Sequence, residues 1–171
     1  YMYAAGVTGN NQYLKLNTTD AVTTAGSDSW GAGPTSSVMG LRPATFAGTT
    51  AQNLIMYCWA SIPGYSLIGS YTGTGSAGTF GHGLGAVPKM IIVKNLADST
   101  NWNVYHQGVG NDGSLYLNYT QGKETYQPFC NNTTPTSSVF TVGSDGATNG
   151  SGDNMIAYCF VEKTGYSKFG T

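Results

Sequence analysis

NLIMYCWASIPGYSLIGS, residues 53–70, is answered by NMIAYCFVEKTGYSKFGT, residues 154–171, without a gap and at an offset of 101. The offset pairs Asn53 with Asn154, Ile55 with Ile156, Tyr57 with Tyr158 and Cys58 with Cys159, and continues through Gly64/Gly165, Tyr65/Tyr166, Ser66/Ser167 and Gly69/Gly170. Upstream it superposes PTSSV at 34–38 on PTSSV at 135–139, and Leu14, Leu16, Asn17 and Thr19 on Leu115, Leu117, Asn118 and Thr120. Separated segments that share one spacing mark an internal repeat. A complete unit can be cut at 63–163, which makes residues 1–62 the back part of an earlier copy and 164–171 the opening of a later one. The alternative is an insertion of roughly residues 71–101, present in the second copy only.

Within the quoted stretch, alternation puts Ile55, Tyr57 and Trp59 on one side of a strand and Leu54, Met56, Cys58 and Ala60 on the other. Both sides are apolar, so residues 54–60 read as a central strand, buried on both faces. In the second copy Ile156, Tyr158 and Phe160 repeat the aromatic side, and Met155, Ala157, Cys159 and Val161 the smaller one, so each side should meet a different layer. Further strands are expected at 13–17, 66–71, 89–94, 102–105, 115–118, 139–142 and 155–162. Residues 89–94, KMIIVK, read as a core strand with a basic residue at each tip. Turn-rich links lie at 73–78, 110–113 and 143–154, and no long stretch keeps a helical period without Gly or Pro. The expected fold is all-β, with tandem antiparallel β-sandwich or jelly-roll-like units and a period of about 101 residues.

Composition narrows the function classes. Charged residues are 9% of the 171, with a formal net charge of −1, so the field that draws a protein to nucleic acid or an anionic membrane is lacking. Aromatics make up 12%, including 12 Tyr and 3 Trp, which separates the chain from disordered sequences of low charge. No apolar run approaches the roughly 20 residues of a spanning helix, so membrane insertion is not expected. The three cysteines read as buried or partly buried free thiols. Cys58 and Cys159 are repeat counterparts, each belonging to its own copy, and should not pair.

At GYSLIGSYTGTGSAGTF, then AVPKMIIVKN, WNVYH, LYLN, PTSSVFTVG and MIAYCFVEKTGYSKFGT, the chain resembles a repeat found in structural proteins of tailed bacteriophages, notably marine and cyanobacterial ones. Tyr166 to Thr171 keep the opening of that repeat closely, while Leu67 and Ile68 depart from its Lys and Phe. The resemblance implies a β-sandwich repeat on the virion surface, in a tail fibre or related appendage. Its partners would be other copies of itself, in a homo-oligomer, or other virion proteins, and it would contribute to host attachment. No catalytic residue comes with it. The competing readings are a carbohydrate-binding module of a secreted protein and a capsid decoration protein or filament subunit.

Candidate chemistry is sparse. His82 and His106 have no carboxylate or cysteine at ligand spacing and read as surface or loop histidines. None of the eight carboxylates recurs as a pair in both copies, as a glycosidase site common to the repeats would require. Asp145, Asn149, Asp153 and Asn154 offer oxygens in the 143–154 loop but lack calcium-loop spacing, so the loop reads as a solvated turn. No enzyme activity, cofactor or metal is expected. Asn17 and Asn118 stand in Asn-x-Thr sequences at strand ends, where a turn role suffices. Tyr71, Trp102, Tyr105, Tyr119 and Tyr126 are the candidate glycan contacts, since aromatic platforms stack on sugar rings, with a core or junction role as the competing reading for Trp102 and Tyr105.

Overall fold

Nearly all of the regular structure is β, and every strand pairing is antiparallel. The structure is a computed structural model that describes residues 1–4, 8–25, 30–40, 55–126 and 129–170. The strands are β1 (Gln12–Tyr13), β2 (Thr23–Thr24), β3 (Ser66–Thr72), β4 (Gly78–Gly81), β5 (Met90–Asn95), β6 (Asn103–His106), β7 (Leu115–Tyr116), β8 (Val139–Val142) and β9 (Asn154–Phe160). A single helical turn, α1 (Gly146–Asn149), precedes β9. The main sheet has five strands in the order β3-β9-β5-β6-β7, while β1-β2 and β4-β8 form two-stranded ribbons.

β9 is where the alternating pattern becomes architecture. It lies between β3 and β5, in register from Ser66 opposite Phe160 to Thr72 opposite Asn154, and from Met90 opposite Phe160 to Asn95 opposite Met155. Met155, Ala157, Cys159 and the following Val161 join Ile91, Val93 and Tyr105 in one core. The ribbon β4-β8 closes that core with Phe80, Phe140 and Val142, and Phe129 and Cys130 complete it. Tyr71, Phe80 and Phe140 stack there, with ring centroids 4.1 to 6.1 Å apart. Ile156, Tyr158 and Phe160 face a second core with Trp102 and Leu96, sealed by Ala4 and Leu14 and flanked by Met2 and Val22. The sheet is thus covered on one face by β4-β8 and on the other by residues drawn from 2–22.

Three expectations need correction. Of the expected strand 54–60, Leu54 lies outside the described residues and 55–60 form no strand: they are exposed, because β9 already fills the place between β3 and β5. Lys94 is not an exposed tip. Its side chain is fully buried, and Nζ donates to the carbonyls of Asn95 at 2.6 Å and Asp98 at 3.0 Å, so a loop folded over the strand end takes the place of water. Cys58 is exposed, while Cys130 and Cys159 are buried, and all three are free thiols. Sequence reading also missed β4, whose GTFG has a single apolar side chain with which to show alternation, and β2, which is only two residues long.

Local geometry recurs between the matched segments. Thr35 N–H donates to the Val38 carbonyl at 2.7 Å, and Thr136 N–H to that of Val139 at 2.9 Å, each Thr hydroxyl also accepting from the amides two and three residues on. Ile62 bridges Ser66 as Lys163 bridges Ser167, around Gly64 and Gly165 at φ 70° and 79°, where a side chain would be strained. Tyr13 opposite Thr23 in the β1-β2 ribbon corresponds to Ser114 opposite Glu124.

The buried titratable groups predict how stability changes with pH. Burial pushes the Cys130 and Cys159 thiols up from 9.0 to about 12. The folded chain therefore keeps protons that the unfolded chain sheds above pH 9, and stability falls from there toward pH 12. Burial of Lys94 acts in the opposite sense, pulling its ammonium down from 10.5 to about 8, so this residue alone makes stability rise between those values. Chemical denaturation should show a shallow rise from pH 8 to 9, then a loss that steepens beyond 10 as the unfolded chain ionises Tyr71 and Tyr158, whose hydroxyls are pushed up by burial in the fold. Lys94→Met should abolish the rise and leave the loss. A midpoint that is level from pH 9 to 11 would contradict this assignment.

Candidate functional site

The N-terminal segment docks on the sheet through specific polar contacts as well as apolar ones. Met2 pairs with Leu14 by backbone hydrogen bonds of 2.8 and 3.0 Å, and Val22 N–H donates to the Leu96 carbonyl at 3.0 Å. The indole N–H of Trp102 donates to the Lys15 carbonyl at 3.0 Å, so the residue that leads into β6 holds the first segment directly. The Tyr158 hydroxyl meets Met2 Sδ at 3.2 Å. Beside this contact lies an apolar cavity of about 210 Å³, with Met2, Ile92, Leu117 and Phe160 in its lining and Trp59, Trp102 and Tyr158 as aromatic walls.

Trp59 connects the cavity to a run of exposed apolar side chains. Ile55, Met56, Tyr57, Trp59 and Ile62 are all exposed, and the Tyr57 and Trp59 rings lie nearly parallel, 6.2 Å apart at 20°. The two rings stand two residues apart in the chain. The residues carry an interior strand's pattern outside the sheet. Sequence reading placed them in the core; the contrary signal was that residues 1–62 contain no counterpart of β3 or β5.

The five candidate glycan contacts separate into two groups. Trp102 and Tyr105 are buried, as the core or junction reading had it. Tyr71 lies against Phe80 and Phe140, and its hydroxyl donates to the Thr148 carbonyl. Tyr71 is thus half-buried, Tyr105 is buried in the first core, and Trp102 faces only the apolar cavity that it lines. Tyr119 and Tyr126 are exposed, and only Tyr119 has a ring neighbour described, Tyr116 at 6.4 Å. Of the five, Tyr119 and Tyr126 are the exposed rings.

The polar candidates serve the fold. His82 is buried, a correction to the surface reading: its ring bonds the Thr136 carbonyl through Nε2 at 3.1 Å and accepts the Leu84 amide at Nδ1 at 3.3 Å. Burial lowers its pKa, consistent with a neutral ring. His106 stays part-exposed and accepts the Gly108 amide at 3.1 Å. The 143–154 loop is not a simple solvated turn. Asp145 caps α1 by accepting from Ala147 N–H at 3.1 Å, and Asp153 accepts from Asn95 Nδ2 at 2.9 Å. Asn149 is fully buried, its amide donating to Ser76 and Gly143 carbonyls at 2.7 Å each and its Oδ1 accepting from Thr74 N–H at 2.7 Å. The backbones meet so closely that a Cβ on Gly73 would lie 2.1 Å from the Gly150 carbonyl oxygen. Among the described residues no three His, Cys, Asp or Glu come together in a group that could hold a metal ion.

Asp20 and Asp112 pair with Lys15 at 3.1 Å and Lys123 at 2.6 Å, and each lysine's hydrogen bond holds its partner carboxyl below the ordinary range. Asn118 accepts from Trp102 N–H at 2.8 Å and donates to Asn101 at 2.9 Å, the turn role expected of it. Among the described residues no helix is long and apolar enough to cross a membrane.

No curated protein and no solved structure matches the chain. A family sequence pattern matches it over two stretches, residues 1–79 and 68–171. Both the docked N-terminal segment with its exposed strand-like stretch and the five-stranded sheet therefore fall under one description, and the chain belongs to the family described as a domain of unknown function, DUF7483.

Proposed function

We propose that the chain is a non-enzymatic structural module of serial β units, of period about 101 residues, in a tail fibre or other virion appendage. The observation that carries this reading is the junction. Residues 2–22, which correspond in the repeat to β6, β7 and their surroundings, lie on the apolar face of the next unit's sheet and complete its second core. Units that finish each other's cores stack into an extended rod, because each buries apolar surface only against its neighbours. The recurrence of turn and bridge geometry at one offset supports the serial arrangement, and the low-charge, Thr/Ser/Asn/Gly-rich composition suits an extracellular rod. The assignment to a phage appendage rests on the sequence resemblance. The polar groups described above serve caps, turns and loop anchors, which fits a scaffold. Its partners are neighbouring copies and other virion proteins, and exposed Tyr119 and Tyr126 are the rings left to meet a host-surface glycan.

Mass spectrometry of purified particles should find the protein, and labelled antibody should place it on a fibre by electron microscopy. Absence from particles would overturn the appendage reading. Density spread over the capsid would favour a decoration protein. Glycan-array binding that is lost on Tyr126→Ala would favour the carbohydrate-binding module.

A further inference from the structure

Residues 55–60 have a strand's alternation in sequence and, among the described residues, no strand beside them. Ile55, Tyr57 and Trp59 are 81%, 73% and 58% exposed, whereas their counterparts Ile156, Tyr158 and Phe160 are 0%, 7% and 8% exposed. Contiguous exposed apolar side chains mark an interaction site, and an unpaired strand is a template for pairing. β9 shows what such a strand pairs with. Ile156 lies between Ser70 of β3 and Lys94 of β5, Tyr158 between Ile68 and Ile92, and Phe160 between Ser66 and Met90. The exits of the two segments also agree: Ser66 Oγ donates to the Ala60 carbonyl at 2.8 Å, and Ser167 Oγ to that of Val161 at 3.2 Å.

The missing neighbours are therefore one strand like β3 and one like β5. A second copy of the chain is a poor source, because its β3 and β5 already hold β9 between them and would have to release it. The preceding chain is well placed. Tyr1 stands in the repeat where Trp102 stands, just before β6, so a β5-like strand ahead of Tyr1 would lead into Met2 as β5 leads into Asn103. The family pattern also matches residues 1–79 as a stretch of their own.

We propose that residues 55–60 are the central strand of a first sheet, which takes up on its two edges a β3-like and a β5-like strand carried by chain ahead of Tyr1. This rests on the serial reading above and adds the partner that reading requires. On pairing, Ile55, Tyr57 and Trp59 turn to one face of the completed sheet and Met56, Cys58 and Ala60 to the other.

Cys58 supplies the readout, being exposed where its counterpart Cys159 is buried. Residues 63–101, which contain no cysteine, are fused ahead of Tyr1 of the whole chain, restoring the order β3, β4, β5 before residues 1–62. In the unextended chain Cys58 should react with dithiobis-nitrobenzoate as a free thiol does, and the amides of 55–60 should exchange without protection. In the fusion the thiol should slow by about 100-fold or more, with amide protection appearing over the same residues. Ile55→Lys should move the melting temperature of the unextended chain by less than about 2 °C and lower that of the fusion by more than about 5 °C. A cooperatively melting fusion with Cys58 still fast overturns the proposal, as does a fusion that loses the cooperative melt. Protection of Cys58 in the unextended chain together with dimerisation overturns it in favour of a second copy. Absence of the protein from virions would alter none of these results and would bear only on the appendage reading.

Discussion

Trp102→Ala is expected to lower the stability of the chain by about 3–5 kcal/mol, the usual range for deleting a buried large aromatic. The site has little means of recovering the loss. Trp102 is fully buried, stands 6.4 Å from the Tyr158 ring, and already borders a cavity of about 210 Å³, so removing the indole enlarges a void where neighbours would otherwise collapse. The Lys15 carbonyl loses the indole N–H that it accepts at 3.0 Å. The substitution therefore loosens the attachment of residues 1–25 as well as the core. Trp102→Phe separates the two contributions: it keeps most of the apolar bulk but not the donor, and should cost about 1–2 kcal/mol. Urea titrations give both values, and limited proteolysis should cut within residues 1–25 of Trp102→Ala well before the sheet. A cost below about 1.5 kcal/mol for the alanine variant, with the N-terminal segment still resistant, would mean that the junction does not depend on this residue.

Asn149→Ala should cost about as much, roughly 3–5 kcal/mol, by a different physical route. Little apolar area is lost. The loss is instead three buried partners left unpaired: the carbonyls of Ser76 and Gly143 and the amide N–H of Thr74, each held at 2.7 Å by the one side chain. Each orphaned group costs about 1–3 kcal/mol when water cannot reach it. The surroundings are tight, since Gly75 N–H donates to the Asn149 carbonyl at 2.8 Å and Gly73 lies against Gly150. The link between β3 and β4 should come away from the α1 turn, and amide exchange at Thr74 and Gly75 should rise before that of β9. If denaturation showed a cost under 1 kcal/mol, water must replace the amide at this position, and the side chain would not be what ties the two loops together.

These two residues show how unevenly the site could be read from sequence. Trp102 was legible as a core or junction residue because it opens an apolar strand in a chain with few tryptophans. Asn149 was not. In a run of Gly, Ser, Asp and Asn, an amide that ties two loops together has the same letters as an exposed turn, and only the approach of Gly73 to Gly150 separates the two. Lys94 misled for a related reason: a lysine at the end of an apolar run reads as a solvated tip, and its burial depends on the 95–100 loop folding back to supply carbonyl acceptors. For the aromatic candidates a ring's surroundings, and not its neighbours in sequence, fix its exposure. Tyr71 faces Phe80 and Phe140, which lie far from it in the chain or across a glycine-rich turn.

The sequence by itself determined that this is an antiparallel β protein, that β3, β5, β6, β8 and β9 are strands, and that β9 is apolar on both sides. Those properties follow from the two-residue period of the extended chain, a local quantity written in adjacent letters. Tertiary structure alone decided that the same pattern is buried at 154–160 and bare at 55–60. Burial of a strand depends on hydrogen-bonding neighbours and covering layers from elsewhere in the chain: β9 has β3 and β5 at its edges and a layer on each face, while residues 55–60 have none of these among the described residues.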